Sequence, residues 1–597
     1  MKKISLFLIY GLLTFSISKA QSWLLTGNSI SSGNFLGSTN NFNLLFKVGN
    51  VNSGLIDVTF NNTFLGISSG GSTISGTGNS AMGYHALMAN TSGYGFVALG
   101  AYAATANTTA ATNTALGMQS LYSNQVGGGN TAVGTNSLYT LNPINPGNGV
   151  ENCAFGMNAL FSSYNVFGAN NCVFGSGAMY TSTQGYNCTL FGEEAGRGSG
   201  PSGIVTGAGF QTLHTITNSP SSGGGGNTAL GFQSQFFNTS NGIDDISAGA
   251  QSLQSNQTST DEIAIGHLAL FNTIGGNNIG IGYSSLYNNT GSTTLLGNNV
   301  AIGTYTLYSN TTSAGNTAFG HGALYSNSNT TLPYAENTGV GYEALYYNTT
   351  GGNNTAMGEG SGPTIASLSG TVAIGTNAVP TQDNEAVFGS SVTTVNGGYV
   401  AWTPPSDGRF KKNITENIPG LEFITMLRPV TYTLDVHAIN SFIYPAAKKG
   451  RNGEDVPNTA EDEIAVNQKE KIVYSGLIAQ EVEVAAKKIN YNFSGVDKPE
   501  NSNGLYRLGY ADFIPSLSKA VVQMSKTTDS LIMVANTMSL LLDKIQQQLD
   551  SLKLTTVQTG YLQEDSSEKL TATLYDNTSS AISNRSIKVD ALNTKRK

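Results

Sequence analysis

Ser406 and Lys411 stand five positions apart, with Asp407 and Arg409 between them, in the run Trp402-Thr-Pro-Pro-Ser406-Asp407-Gly-Arg409-Phe-Lys411-Lys412-Asn413-Ile414. A serine hydroxyl becomes a nucleophile when a base takes its proton. A lysine can be that base once desolvation or a nearby positive charge lowers its pKa. Arg409 is close enough in sequence to disfavour a second positive charge on Lys411. The same charges could also simply solvate one face of a surface segment, as most charge clusters do.

The remaining reactive residue types offer less. Cys153, Cys172 and Cys188 each follow an Asn; they read as a column of small buried residues in the slot that Thr114 fills after Asn113. No Cys-x-x-Cys and no histidine at metal-ligand spacing accompanies them, so neither a metal nor a cofactor is expected. Adjacent strands lie about 4.8 Å apart, a separation a disulfide tolerates, so two stacked thiols could oxidise. His85, His267 and His321 read as solvated turn residues. Asp244-Asp245 and Asp261-Glu262 are sparse acidic neighbours that read as solvated turns, not as the paired carboxylates of a glycan-cleaving cleft.

Two physical regimes position these residues. Between Gln21 and Val400 the basic residues are Lys47 and Arg197, whereas the last third is dense in both signs of charge. The chain has 73 glycines and only 11% charged residues, unlike a mixed-charge globular enzyme, and a net charge of -8 gives no footing for nucleic-acid binding. The first regime repeats: Asn113-Thr-Ala-Leu-Gly117 with Ser120-Leu121-Tyr122 returns as Asn130-Thr-Ala-Val-Gly134 with Ser137-Leu138-Tyr139, and as Asn316-Thr-Ala-Phe-Gly320 with Ala323-Leu324-Tyr325. Looser copies end at Gly83, Gly100, Gly156, Gly175, Gly192, Gly231, Gly266, Gly282, Gly303, Gly341, Gly358 and Gly375. Such self-similarity marks a solenoid. Each unit reads as two brief strands, at Ala115-Leu116 and Leu121-Tyr122, that bury their apolar face by stacking on neighbouring coils and on the same coil of other chains. The unit resembles the heads of trimeric autotransporter adhesins, with longer and more variable repeats and inserts at Leu141 to Gly147 and Ser219 to Gly226.

The second regime opens at the Ser406 run, which resembles the endosialidase-type intramolecular chaperone domain of phage tailspikes and tail fibres through the pattern Ser-Asp-x-Arg-x-Lys-x-x-Ile. Ser406, Asp407, Arg409, Lys411 and Ile414 fill it. Leu427-Arg-Pro-Val-Thr-Tyr432 resembles the family's first β-segment, Ser475-Gly-Leu-Ile-Ala-Gln480-Glu481-Val its helix-opening segment, and Tyr510 to Ala520 its closing helix. The polar stretch from Ala446 to Lys471 reads as a loop. The resemblance implies a self-cleaving domain with Ser406 as nucleophile and Lys411 as base, Asp407 and Arg409 supporting, and the cut at the Pro405-Ser406 bond. That is at most a serine endopeptidase acting once on its own chain, not a turnover enzyme.

Met524, Leu531, Val534, Met538, Leu541, Ile545 and Leu552 fall on alternating three- and four-residue steps, the spacing of a coiled-coil seam. At the other end, Lys2 and Lys3, an apolar run from Ile4 to Ile17, and Ser18 and Ala20 form the three regions of a secretory signal. The expected organisation is a mainly β chain: signal peptide 1–20, N-terminal cap 21–78, trimeric β-roll rod 79–390, linker 391–405, small α+β chaperone domain 406–523, coiled coil 524–554 and polar tail 555–597. The expected role is that of an exported, secreted or surface-held homotrimeric fibre or adhesin with a cell-surface or glycan ligand, no nucleic-acid partner and no transmembrane segment in the mature chain. The alternative is a tail-fibre or tailspike-like component of a phage or injection apparatus.

Overall fold

The computed structural model describes residues 31–33, 35–141, 149–162, 169–181, 185–198, 204–218, 226–240, 244–256, 259–290, 297–328, 335–399, 402–444, 460–502 and 504–559. The signal segment, most of the two inserts at 141–147 and 219–226, and the tail beyond 559 lie outside the described residues. Two compact units result: residues up to Ser406 with Val430–Gly476 and Lys498–Arg507, and Asp407–Pro429 with Leu477–Asp497 and the residues from Leu508 onward.

The first unit is a β-solenoid. From Asn62–Leu65 to Ala386–Phe388, short strands stack in parallel, each aligned residue for residue with the next, as Thr114, Ala115 and Leu116 align with Thr131, Ala132 and Val133. Strands this short persist because every rung repeats the same local chemistry. Gly117 closes the strand at φ +142, and a Cβ there would meet the carbonyl oxygen of Gly134 at 2.5 Å, so the close approach of successive turns requires glycine. Gly209 and Gly249 hold the same place at φ +147 and +145 and mark two further coils, after Val205–Ala208 and Ile246–Ala248.

The interior of each coil is small and partly polar. Ala115 and Leu121 are fully buried. Asn113 is too: its Nδ2 donates to Gly127 O at 2.8 Å, and its Oδ1 accepts from the backbone N–H of Asn130 at 2.7 Å. The amide thus satisfies its own donor and acceptor while tying one coil to the next, and the arrangement recurs at Asn79, Asn130, Asn171, Asn299, Asn337 and Asn354.

The second expected strand is absent from these coils. Leu121 is a turn residue at φ +50, preceded by Gln119 at φ +59, and Ser120 Oγ donates to Gly117 O at 2.9 Å. The left-handed turn aims Leu121 into the coil without a strand. Among the described residues, a second parallel sheet occurs at Thr215–Asn218, Phe237–Ser240, Ser255–Asn256 and Asn272–Thr273. At the N-terminal side an antiparallel pair, Leu44–Val48 with Val51–Asp57, lies against the first rung, and the ladder itself already starts at Asn62. This pair blunts the open strand edge, as an end cap must.

The same unit contains two antiparallel strands, Val430–Tyr432 and Tyr474–Gly476, with helices α2 (Val436–Ile443) and α3 (Ala460–Glu470) between them. Helix α3 corrects the loop expected over 446–471, of which 445–459 lie outside the described residues. Its sequence, Ala-Glu-Asp-Glu-Ile-Ala-Val-Asn-Gln-Lys-Glu, is built of helix formers, and Val466 and Lys469 are buried.

In the second unit, α1 (Leu421–Ile424), α4 (Ala479–Lys488) and the start of α5 (Ile514–Thr559) surround a core of Phe423, Val482, Ala485, Ala486, Phe493 and Phe513. Gln523 Oε1 accepts from the Leu421 backbone N–H at 2.7 Å, joining α5 to α1. No helix among the described residues is long and apolar enough to cross a membrane.

Candidate functional site

The Ser406 run is solvent-exposed throughout. Asp407 caps a single turn of 3-10 helix at Gly408–Phe410: its Oδ1 accepts from the Arg409 backbone N–H at 2.9 Å and its Oδ2 from Arg409 Nη2 at 2.6 Å. These bonds hold the Asp407 carboxyl below its usual range and raise Arg409. The guanidinium expected to act on Lys411 is therefore engaged by Asp407. Trp402, Phe410 and Ile414 are large apolar residues left almost fully exposed in a single chain.

The resemblance-bearing segments adopt the expected elements. Leu427–Tyr432 contains a strand, Ser475–Val482 passes from a strand into α4, and Tyr510–Ala520 runs through a 3-10 turn at Tyr510–Phe513 into α5. Arg428 grips Glu481 on α4 through Nε at 3.1 Å and Nη2 at 2.5 Å. The expected seam lies on α5 with Met524, Leu531, Val534, Met538, Leu541, Ile545 and Leu552 all exposed.

The rod carries a second uncovered surface, which the repeat contained but sequence reasoning passed over. Within each triplet the middle residue points inward and the outer two point out, so the third positions form one continuous column. Met82, Leu99, Leu116, Phe191, Phe319 and Met357 are among its exposed members. Phe155, Phe174 and Phe191 stack along it at 4.7 and 4.9 Å between ring centroids. Alternation around a buried Ala was the available signal.

Cys153 and Cys172 sit opposite each other in the outward first column, in the Thr slot as expected, but half-buried and not buried, because the first residue of each triplet points out of the coil. Cys188 does not: seventeen residues beyond Asn171, it takes the inward amide slot, donates its backbone N–H to Asn171 Oδ1 at 3.1 Å, and is fully buried. Burial pushes its thiol up to about 12. Burial, and secondly the neighbouring Cys172, raise Cys153. The column of three is thus a pair plus one interior residue.

The acidic dipeptides divide in the same way. Asp244 and Asp261 are exposed turn residues at φ +59 and +61, whereas Asp245 and Glu262 replace interior asparagines and are fully buried. Asp245 Oδ1 keeps the column's role by accepting from the Glu262 backbone N–H at 3.0 Å, and its Oδ2 accepts from Asn256 Nδ2 at 2.7 Å. Glu262 Oε1 accepts from Asn278 Nδ2 at 3.0 Å, and its Oε2 has no hydrogen-bond partner. Burial raises both carboxyls well above their ordinary range. Around them the apolar core gives way to Ser234, Gln235, Ser247 and Ser252, with Ser234 Oγ 2.6 Å from Ser247 Oγ.

The histidines fall in turns after the repeat glycine, where His85 stacks on Tyr84 and His321 on Tyr342. No group of three or more His, Cys, Asp or Glu residues able to hold a metal ion occurs among the described residues. No curated protein matches the chain. Residues 406–489, which open at Ser406 and take in the Arg428–Glu481 pair and α4, match the family model described as chaperone of endosialidase, here following a long solenoid.

Proposed function

We propose that this chain is an exported homotrimeric fibre, adhesin-like in its rod, whose C-terminal domain drives trimerisation and cuts the Pro405-Ser406 bond. A chaperone-of-endosialidase domain behind a β-solenoid rod fits a tail-fibre or tailspike-like protein. The observation that carries the finer reading is the uncovered apolar surface. Each coil closes its interior within one chain, yet the outward column of the rod stays exposed or half-exposed along the ladder and the seam residues of α5 are exposed. Contiguous apolar surface of that extent calls for a partner. Further copies of the chain bring the same columns in the same register.

Assembly also bears on the chemistry. A lysine bathed in water keeps its proton, and covering Trp402, Phe410 and Ile414 would desolvate the motif. Lys411 Nζ then takes the Ser406 hydroxyl proton while Oγ adds to the Pro405 carbonyl carbon. The C–N bond breaks as the Ser406 nitrogen gains a proton, leaving an ester between Pro405 and Oγ. Water hydrolyses the ester to a Pro405 carboxylate and a chain that begins at Ser406. Asp407 supports the step by holding Arg409 in place.

The rod's role is binding, to a cell surface or glycan. Cleavage of a glycan is disfavoured because Asp245 and Glu262 face the coil interior, where no sugar reaches them. The second reading, a component of a phage or injection apparatus, is favoured by the pairing of rod and chaperone-type domain, whereas the secretory-type leader favours the exported fibre. Mass and oligomer measurement of the product recovered from cells tests the proposal: trimers with a rod chain ending at Pro405 support it, and a monomer, or an uncut trimer, overturns the corresponding half.

A further inference from the structure

The end of the rod is held by side chains that belong to the polypeptide after Ser406. Glu385, in the turn before the last rung, pairs with Arg507 and is only 9% exposed. Its Oε2 accepts from the backbone N–H groups of Thr381 at 2.7 Å and Gln382 at 3.2 Å, so the ion pair is built into the turn itself. Asn501 Nδ2 donates to Thr381 O at 2.9 Å on the same turn. From α3, Lys469 is 7% exposed and its Nζ donates to Thr393 O at 2.5 Å. From α2, Asn440 Oδ1 accepts from Ser391 Oγ at 2.6 Å.

Two features set these contacts apart from incidental surface bonds. They converge on the end of the rod, Thr381 to Thr393, where no further rung follows among the described residues, and two of them use a charge withdrawn from water, the Lys469 ammonium and the Glu385 carboxylate. A buried lysine or ion pair that loses its partner is left with an uncompensated charge, so such contacts resist being opened one at a time.

We infer that these residues form a clasp which caps the open end of the solenoid and keeps the C-terminal polypeptide bound to the rod after the Pro405-Ser406 bond is broken. The inference rests on the proposed cut for its biological occasion but not for its test. Breaking one peptide bond removes none of the clasp contacts, because all of them join residues on opposite sides of that bond through space. The domain therefore leaves only when a separate event opens the clasp.

The test uses the full chain carrying Ser406→Ala, so that no self-cleavage occurs, with a protease recognition sequence inserted after Gly398. After assembly the protein is cut and passed over a sizing column under native conditions. The two fragments are expected to co-elute, and hydrogen exchange over residues 364–393 is expected to match that of the uncut protein. Separation of the fragments, or loss of protection over 364–393 on cutting, overturns the clasp. In a second chain bearing Arg507→Ala and Lys469→Ala, dissociation after the cut is expected to be faster on the order of a hundredfold or more; co-elution unchanged by these substitutions also overturns it. Should that variant fail to assemble, Asn440→Ala replaces it, with a smaller acceleration expected and an unchanged rate counting against the clasp. Because the cut is supplied, failure of Ser406 to cleave in the natural chain is read separately, from the unmodified protein.

Discussion

The rod and the C-terminal region solve the burial problem in opposite ways. In the rod, a typical coil fully buries an alanine, a leucine and an asparagine within one chain, as Ala115, Leu121 and Asn113 do. In the C-terminal region, a six-residue core around Phe423 is joined to a long helix whose apolar seam is exposed in a single chain. Local repetition can complete a fold one coil at a time, whereas a helix of this length with an open seam depends on other molecules. The rod thus contributes self-contained structure and an outward apolar column, and the exposed seam of the helix is the basis of the proposed trimer.

The largest expected effect comes from breaking that demand. Leu541→Asp with Ile545→Asp places charges in the seam. Sizing and light scattering should find monomers or aggregates in place of trimers, and self-cleavage should disappear with assembly; soluble full-length trimers at native yield would sink the proposed role of α5. The rod of the variant should keep its β-structure by circular dichroism, since its coils close within one chain.

Next in size are the substitutions at the cut. On the proposed mechanism Ser406→Ala removes the nucleophile and Lys411→Ala the base, so each should leave a single full-length band where the natural protein is expected to give two. Lys411→Arg should be as damaging, because a guanidinium holds its proton. Arg409→Ala separates the expected role from the observed one. If Arg409 acts only by its bond to Asp407, the variant should cut more slowly but still cut; complete loss would restore Arg409 to a direct part in the chemistry. Pro405, whose ring restricts the backbone at the scissile carbonyl, gives a further check, since Pro405→Ala should cut at least as fast.

Much of this division was legible in the sequence. The recurring Gly117-type glycine, the Leu offset and the four motif segments of the C-terminal region lie where the structure puts them, because each is a local signal. The errors share a cause. Leu121-Tyr122 was read as a strand because apolar content, not backbone handedness, is visible in sequence, and the φ of +50 belongs to a turn. Cys188, Asp245 and Glu262 were misassigned because an Asn-Cys or Asp-Asp pair looks the same whether its first or second member enters the interior. Coil length decides it: Asn187, Asp244 and Asp261 occupy the left-handed turn at φ +55, +59 and +61, which pushes the following residue inward.

A medium effect sharpens the contrast between amide and carboxylate within the rod. Asn130→Ala removes the Nδ2 donor to Gly149 O at 2.8 Å and the Oδ1 acceptor of the Asn152 backbone N–H at 3.0 Å, and should cost about 3 kcal/mol in denaturant melts of the rod. Asp245 and Glu262 behave differently with pH. Their carboxyls are raised by burial, with Asn256, Asn278 and Ser259 opposing the rise and Asp244 and Asp261 adding to it around Asp245. A carboxyl whose folded pKa lies above its unfolded value, about 4, binds more protons folded than unfolded. Its stabilisation is therefore complete below that unfolded value and is lost as pH rises through the folded one. Hydrogen exchange, corrected for its intrinsic pH dependence, should show the coils from Asn227 to Asn278 loosening with rising pH while those from Asn62 to Asn130 do not. Asp245→Asn with Glu262→Gln should abolish the difference; a pH response that survives both substitutions assigns it elsewhere.

The smallest effects compare an inward cysteine with an outward one. Cys188 is enclosed by its coil, so Cys188→Ser buries a hydroxyl in its place and should cost about 1 to 3 kcal/mol, read as a lower melting midpoint without loss of assembly. Cys172→Ser, on the partly exposed outer column, should cost well under about 1 kcal/mol, since a serine there keeps access to solvent or to the neighbouring strand. The same placement fixes the redox behaviour. Cys153 and Cys172 face each other across one rung of a parallel ladder whose strands lie about 4.8 Å apart, within reach of a disulfide, while the Cys188 thiol, raised to about 12, stays protonated and unreactive. Mild oxidation with a diamide-type reagent should therefore consume the thiols of Cys153 and Cys172 and spare Cys188, and mass spectrometry after blocking of free thiols can assign each one. If the two outer thiols join within one chain, a non-reducing gel shows a single-chain band; if the outer column packs against other copies, cross-linked chains appear, and both products vanish in Cys172→Ser. Oxidation of Cys188 ahead of the outer pair would mean that the coil around it opens in solution, and that the rod's interior is less self-contained than the comparison with α5 requires.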